Sequence, residues 1–357
     1  MRRPLEVDPA IEAASTLPAE LVRDPAGFDL LRERVLARSW HVLDALPSLP
    51  PEAAYPTTLL PGCLDEPVLF TRDEAGEEHL LSNVCTHRGK ILCEGATSGR
   101  TLRCGYHGRS FDLRGRLRKA PAFDGAQRFP ASSDDLPAVP TAALGALRFA
   151  AIAPAMTFQE LAGPFAERLA FVPWDRCSLV ETRDYEIDAH FLLYCDNYLE
   201  GLHIPFVHEG LMETLEFGAY ESELGLWSSL QIGVAKKADD ALALPPDHVD
   251  ASRPIAAFYL FLFPCTMINV YPWGVSVNSV RPLGPAKTRV TYLTFVHSPE
   301  RLGTGAGADL HRVELEDQAV VTSVQRGVRS RLYERGRFSP SMERGVHHFH
   351  RVLASLL

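Results

Sequence analysis

Little in this sequence points to a membrane, to nucleic acid or to a disulfide scaffold. The longest run of small apolar residues, Ala138 to Met156, contains Arg148 and two prolines. It is a poor match to the roughly 20 unbroken apolar residues that a bilayer requires. The opening residues, MRRPLEVDPA, carry two arginines with no apolar run behind them, which is not the pattern of a secretory signal. No block of Lys or Arg rises above the background, and the formal net charge is −9. That argues against a basic face for nucleic acid. Seven cysteines is an odd number; without an export signal, metal binding or free thiols in the cytoplasm fit better than disulfides. There is no glycine fingerprint for a flavin or nicotinamide, no internal repeat and no low-complexity tract.

What is present is ordinary in bulk and specific in detail. The 357 residues are enough for two domains. Residues 28–44, FDLLRERVLARSWHVLD, repeat apolar residues at three and four and predict an amphipathic helix. From about Thr57 to residue 150, short runs such as PVLFT and EHLLSNV alternate with turns and predict a small all-β domain holding Cys63, Cys85, Cys93 and Cys104. A larger α+β region follows. LVETRDYEIDAHF predicts a strand leading into a helix near residue 190. Three strands are expected over 256–297, the first buried on both faces. The glycine-rich run after Leu302 reads as a flexible turn, and a long helix is expected from Asp309 to Arg335. The fold class is therefore α+β: an N-terminal helical segment over 1–37 packing on the larger domain, a β domain over 38–150, and the larger domain over 151–357.

The first chemical signature is CTHRGKILCEGATSGRTLRCGYHG. It contains a C-x-H pair, Cys85 and His87, and sixteen residues later a C-x-x-H pair, Cys104 and His107. Two cysteines on one iron and two histidines on the other make a Rieske [2Fe–2S] centre, whose neutral histidines raise the potential. A zinc site uses the same residue types but takes both thiolates from one C-x2–4-C loop, which is absent here. Gly89, Gly105 and Gly108 would let the two loops turn sharply. Cys93 lacks a partner at ligand spacing and is expected in the core.

The second signature is DNYLEGLHIPFVH, with Glu200, His203 and His208. On a helix Glu200 and His203 share a face, and a kink at Pro205 could turn His208 back towards His203. Two histidines with one carboxylate describe a non-haem Fe(II) site. Asp317 is the candidate carboxylate. It is the charged member of the stripe Val313, Asp317, Val321, Val324, Val328 and Leu332, and burial there would need a cation. Glu314 and Glu316 are expected to face solvent. His347, His348 and His350 are expected to be packing and surface residues.

With both sites in hand, the chain resembles the catalytic α subunit of the Rieske non-haem iron oxygenases over nearly its whole length. Its tail, from LEDQAVVTSVQRG onward, looks most like the choline monooxygenase and quaternary-ammonium group. The resemblance implies a helix-grip catalytic domain beside the Rieske domain, and Asp317 as an iron ligand. It also implies a homotrimer in which electrons leave one subunit's cluster by His107 and reach the neighbour's iron through an acidic residue. That residue is Glu200 by its position three before the first iron histidine, with Asp196 the alternative. An NAD(P)H-dependent reductase, with or without a ferredoxin, would supply the electrons, and O2 and a small organic substrate would complete the reaction. The substrate is a quaternary ammonium or an aromatic compound. A cation would need an aromatic cage, for which Trp227, Tyr259, Phe261, Tyr271 and Trp273 are candidates, although strand aromatics can equally fill a core. The competing reading is a pure Rieske electron carrier, which would hold two irons per chain where an oxygenase holds three.

Overall fold

The computed structural model describes residues 5–43 and 46–357. The chain is α+β and divides into two compact units. One comprises His41–Ala143 and Leu147–Ile152; the other takes the chain up to Trp40, Leu144–Ala146 and Ala153–Leu357.

In the smaller unit, β1 (Ala53–Leu59), β2 (Glu66–Arg72), β3 (Glu78–Ser82) and β4 (Thr97–Ser98) form an antiparallel sheet in the order β3-β2-β1-β4. A second antiparallel sheet joins β5 (Thr101–Arg103), β6 (Ser110–Asp112) and β7 (Leu117–Lys119). Leu69, Leu81, Leu102 and Phe111 pack into one core, and Cys85 and Cys104 belong to the same cluster. Cys93 is only half-buried at the edge of this core rather than inside it.

The helix expected over 28–44 is shorter. It spans Pro25–Arg34 (α1), with Pro25 at the first helical position, where its missing N–H costs nothing. A short 3-10 turn follows at Leu36–Arg38, and His41–Val42 is a strand paired with Ala150 and Phe149. Local bonds end the helix. The Ser39 hydroxyl donates to the Val35 carbonyl at 2.8 Å, and the Trp40 indole turns inward to the Met156 carbonyl at 3.0 Å.

The larger unit is built on seven antiparallel strands. They are β8 (Ser178–Ile187), β9 (Glu221–Leu224), β10 (Ser228–Val234), β11 (Ile255–Leu262), β12 (Thr266–Tyr271), β13 (Gly274–Gly284) and β14 (Lys287–Val296), in the order β8-β14-β13-β12-β11-β10-β9. The segment 256–297 thus holds four strands, not three, because the turn at Pro272 and Trp273 divides MINVYPWGVSVNSV into a hairpin. Alternation sorts the two faces. Leu230, Leu260, Ile268, Val277 and Leu293 are cross-strand neighbours in one buried apolar row. The other face carries Gln231, Tyr259 and Asn269 in one row and Asn278 and Tyr292 in the next.

Helices α2 (Phe191–Tyr198), α3 (Ile204–Val207) and α4 (Glu209–Thr214) follow β8, and α5 (Leu310–Gly327) and α6 (Arg344–Leu356) end the chain. Helix α5 stops eight residues short of Arg335, and its buried stripe is rotated from the expected one. Glu314, Val321 and Gln325 are buried, whereas Val324 is 42% and Leu332 95% exposed. Gln325 accepts the His190 backbone N–H at 2.7 Å, where α2 begins. A polar contact thus sets the helix rotation that an apolar count misjudged. The glycine-rich run is not a loose turn. Gly305–Gly307 forms a 3-10 turn, and a Cβ on Gly307 would lie 2.5 Å from Trp273 Nε1 and 2.9 Å from Tyr271 Cγ. Only glycine allows that approach.

Candidate metal centres and the catalytic cavity

Two loops of the smaller unit have the same hydrogen-bonded frame. Cys85 N–H donates to the Lys90 carbonyl at 2.8 Å and Gly89 N–H to the Cys85 carbonyl at 3.0 Å. Cys104 and Gly108 repeat this with Arg109 and Cys104 at 2.8 and 3.1 Å. Gly89 (φ 72°) and Gly108 (φ 74°) take the left-handed turn; Gly105 does not. The two thiols are buried and adjacent, within hydrogen-bonding reach of each other. The His87 and His107 rings stand 4.7 Å apart at 67°. His87 Nδ1 is buried and has no partner, which is costly for a polar atom unless a metal or donor meets it. Two converging sulfurs, two converging imidazoles and an orphaned ring nitrogen fit a [2Fe–2S] group with mixed ligands.

Arg109 braces both loops from behind. It is 3% exposed, bonds Thr86 Oγ1 at 3.2 Å and Asp134 at 3.4 Å, and lies 4.5 Å over the Phe123 ring. The sequence reading missed it, although an arginine directly after the second cluster glycine was a visible signal. His107 is exposed and packs on Tyr106 at 3.6 Å between ring centroids.

In the larger unit, Glu200, His203 and His208 do not lie on one kinked helix. Helix α2 ends at Tyr198, His203 precedes the one-turn α3, and His208 sits between α3 and α4. Pro205 lies in the first turn of α3, where it is tolerated rather than a kink. The break brings the rings to 5.1 Å and nearly perpendicular, at 81°. Asp317 joins them across the fold: its Oδ1 lies 3.0 Å from His208 Nε2 and 3.7 Å from His203 Nε2. The candidate ligand atoms of these three residues lie within 4.8 Å of one another.

Each ring is oriented by a second carboxylate. His203 Nδ1–H donates to Glu200 Oε1 at 2.6 Å, and Glu200 Oε2 accepts the backbone N–H groups of Leu202 and His203. His208 Nδ1–H donates to Glu316 Oε2 at 2.8 Å, and Glu316 is held in turn by Arg312 Nε at 2.8 Å. Such bonds fix the tautomer and leave both Nε2 lone pairs facing Asp317, the arrangement that metal-binding histidines use. Burial disfavours a charge on His208, but Asp317 and Glu316 outweigh it and raise its pKa. Glu316, expected in solvent, is thus part of the site. Two nitrogens and one oxygen converging in this way fit a mononuclear iron.

Asp196 has a different partner. It lies 3.0 Å from His350 Nε2, while His350 Nδ1 accepts the Leu17 N–H at 2.9 Å. His347 bonds the Asp8 carbonyl at 2.7 Å. Both histidines pack the N-terminal segment rather than a metal.

The His–His–Asp group opens on a cavity of about 90 Å³. Six of the chain's ten tyrosines line it: Tyr194, Tyr198, Tyr220, Tyr259, Tyr271 and Tyr292. Of the five aromatic candidates read from the sequence, only Tyr259 and Tyr271 line the wall. Trp273 is fully buried behind it, stacked on Tyr271 at 5.1 Å. Trp227 and Phe261 pack elsewhere, against Phe263 and Phe349. The four missed tyrosines come from α2, from the segment before β9 and from β14, and no local pattern unites them. Glu314 was also expected in solvent. It is fully buried and accepts the hydroxyls of Tyr194 and Tyr292, both at 2.6 Å, and Gln318 Nε2 at 2.9 Å. Burial pushes its carboxyl up to about 7 despite these three donors.

A cluster-type loop pair in one unit and a His–His–Asp group in the other define an iron-dependent oxygenase with two metal sites. Comparison with known proteins agrees. The profile of the Rieske [2Fe-2S] domain matches residues 39–130, and that of the ring hydroxylating alpha subunit (catalytic domain) matches residues 174–357. The chain belongs to the ring-hydroxylating α-subunit family of Rieske non-haem iron oxygenases, which use a [2Fe–2S] cluster and a mononuclear iron. It is 31% identical to choline monooxygenase from Arabidopsis thaliana, covering 98% of this chain and 85% of that one. It is 28% identical to the carnitine monooxygenase oxygenase subunit of Escherichia coli strain K12, covering 97% and 94%. The fold matches a crystallised quaternary ammonium Rieske monooxygenase in complex with L-carnitine, with TM-score 0.74, 22% identity and 100% and 99% coverage. As an α subunit of this class, the protein takes electrons from a reductase partner and acts on a small substrate. No helix among the described residues is long and apolar enough to cross a membrane.

Proposed function

We propose that this protein is the oxygenase component of a quaternary-ammonium monooxygenase. Cys85, His87, Cys104 and His107 hold the cluster, and His203, His208 and Asp317 hold the iron. The observation that carries the iron assignment is the convergence of His203 Nε2 and His208 Nε2 on Asp317, with each Nδ1 bonded to its own carboxylate. Once loaded, the cluster supplies single electrons and the iron supplies dioxygen activation. The chain does the rest. Asp317 and the two imidazoles fix the ligand geometry, Glu200 and Glu316 hold the rings, and the tyrosine wall orients the substrate and restricts water.

Glu200 is favoured over Asp196 as the electron bridge because it bonds an iron ligand, whereas Asp196 bonds His350. His107, exposed on its own protomer, is the group that would meet a neighbour's Glu200 in a homotrimer. The electrons come from an NAD(P)H-dependent reductase, with or without a ferredoxin. Seven cysteines, none of them in a disulfide, fit a reducing compartment such as the cytoplasm.

The substrate class rests on the cavity wall. Aromatic faces attract a cation that cannot accept or donate hydrogen bonds, and none of the described lining residues is Lys or Arg. The relatives named for choline and carnitine point the same way. The test is substrate-dependent O2 consumption with the reductase present, offering choline, L-carnitine, γ-butyrobetaine and naphthalene in parallel. Turnover of a quaternary ammonium is expected; turnover of naphthalene alone would contradict the reading.

A further inference from the structure

Glu314 has no place in the reaction as described. Its hydrogen-bond partners do not include His203, His208 or Asp317, although the Asp317 charge one turn on is felt by its carboxyl, and it is fully buried on α5 behind the cavity wall. A buried carboxylate is costly unless something compensates it. Its three donors are neutral: the Tyr194 and Tyr292 hydroxyls and the Gln318 amide. Among the described residues, no Lys or Arg is paired with it. Glu316, two residues on, is paired with Arg312.

The charges around the cavity show what remains. The carboxylates that line it are Glu200 and Asp317, together equal to the charge of one divalent iron. Glu314 lies outside that pair, and the negative charge it carries once its carboxyl, pushed up to about 7 by burial, ionises is not matched by the iron. It is also coupled to the wall, because both tyrosines that donate to it line the cavity. A phenol donating to a carboxylate is more electron-rich than one donating to water, so its ring face attracts a cation more strongly. The same bonds fix the two rings. Asn278 Nδ2 adds a contact to the Tyr194 hydroxyl at 3.4 Å, and the two hydroxyls lie 3.3 Å apart.

We propose that Glu314 is a specificity-determining positioning residue: acting through Tyr194 and Tyr292, it gives the cavity its preference for a cation over a neutral group of the same shape. The proposal rests on the quaternary-ammonium reading of this cavity. It is a statement about discrimination, not about the oxygenation step, and Glu314 touches neither substrate nor metal.

The test compares choline with 3,3-dimethylbutan-1-ol, which replaces the quaternary nitrogen by carbon and keeps the shape. Binding of each to the holoenzyme is measured by calorimetry. In the wild type, choline is expected to bind at least about tenfold tighter, the scale of a desolvated cation–π contact. In Glu314→Gln most of that ratio should disappear, with choline weakened and the alcohol unchanged or tighter. Glu314→Asp, which keeps the charge, should restore part of the preference. If both ligands weaken by the same factor in Glu314→Gln, the residue is structural and the proposal is overturned; an unchanged ratio also overturns it. Tyr292→Phe, which removes one of the two phenol donors, gives an independent reading should Glu314→Gln fail to fold, and it should lower the ratio in the same direction. A wild type that binds both ligands equally would instead defeat the quaternary-ammonium reading itself.

Discussion

The two candidate metal sites each offer two histidines, but they are assembled in opposite ways. The proposed cluster residues lie within one stretch of 23 positions, on two loops with the same backbone frame. The proposed iron residues are joined over 109 positions: His203 is held by Glu200 three residues before it, but His208 takes both of its carboxylates, Glu316 and Asp317, from a distant helix. A site formed by local turns is set by the loop sequence. A site formed across a fold depends on helix rotation, helix ends and second carboxylates.

Removing the distant carboxylate should have the largest effect. Asp317→Ala should abolish turnover, by at least about 10³-fold for loss of an essential metal, while the reduced cluster keeps its EPR spectrum. Loss of the cluster as well would show that the two sites are not independent. Glu200→Gln should leave iron bound, because an amide oxygen can still accept from His203. Electron transfer in single turnover should nevertheless slow by about 10²-fold or more, as expected when a positioned charge on a ligand is removed. Unchanged kinetics would remove Glu200 from the route. Glu316→Ala should act on metal affinity instead, weakening iron binding by about 10- to 100-fold, the usual effect of losing a histidine's outer partner; iron titration of the apo-protein measures it.

The same contrast explains what could be read from the sequence. Cys85, His87, Cys104 and His107 are legible as a candidate group because their spacing alone puts them on two loops that come together. His203 and His208 were legible as a pair, but the helix on which they were placed does not exist: α2 stops at Tyr198, and the break, not a proline kink, turns His208 inward. Asp317 was found from an apolar stripe whose rotation was wrong, since Gln325 and Glu314 are buried and Val324 and Leu332 are not. Glu314 and Glu316 were assigned to solvent because their partners, two tyrosines and a histidine, come from other elements. The tyrosine wall was only partly visible, since alternation in β11 and β12 shows which residues share a face but not what covers it.

A smaller effect separates wall from core. Trp227→Phe should leave the choline preference within about twofold, because the ring packs against Phe263 away from the cavity and a conservative swap in a packed site costs little. Tyr259→Leu, at the wall, should lower that preference several-fold, on the scale of one cation–π contact. Equal effects of the two substitutions would blur the assignment.

Iron content measured together with EPR tests both sites in one experiment. Wild-type protein is expected to hold three irons per chain, and Asp317→Ala two, with an identical reduced-cluster signal in both. Two irons in the wild type, or three retained in Asp317→Ala, would contradict the two-site account.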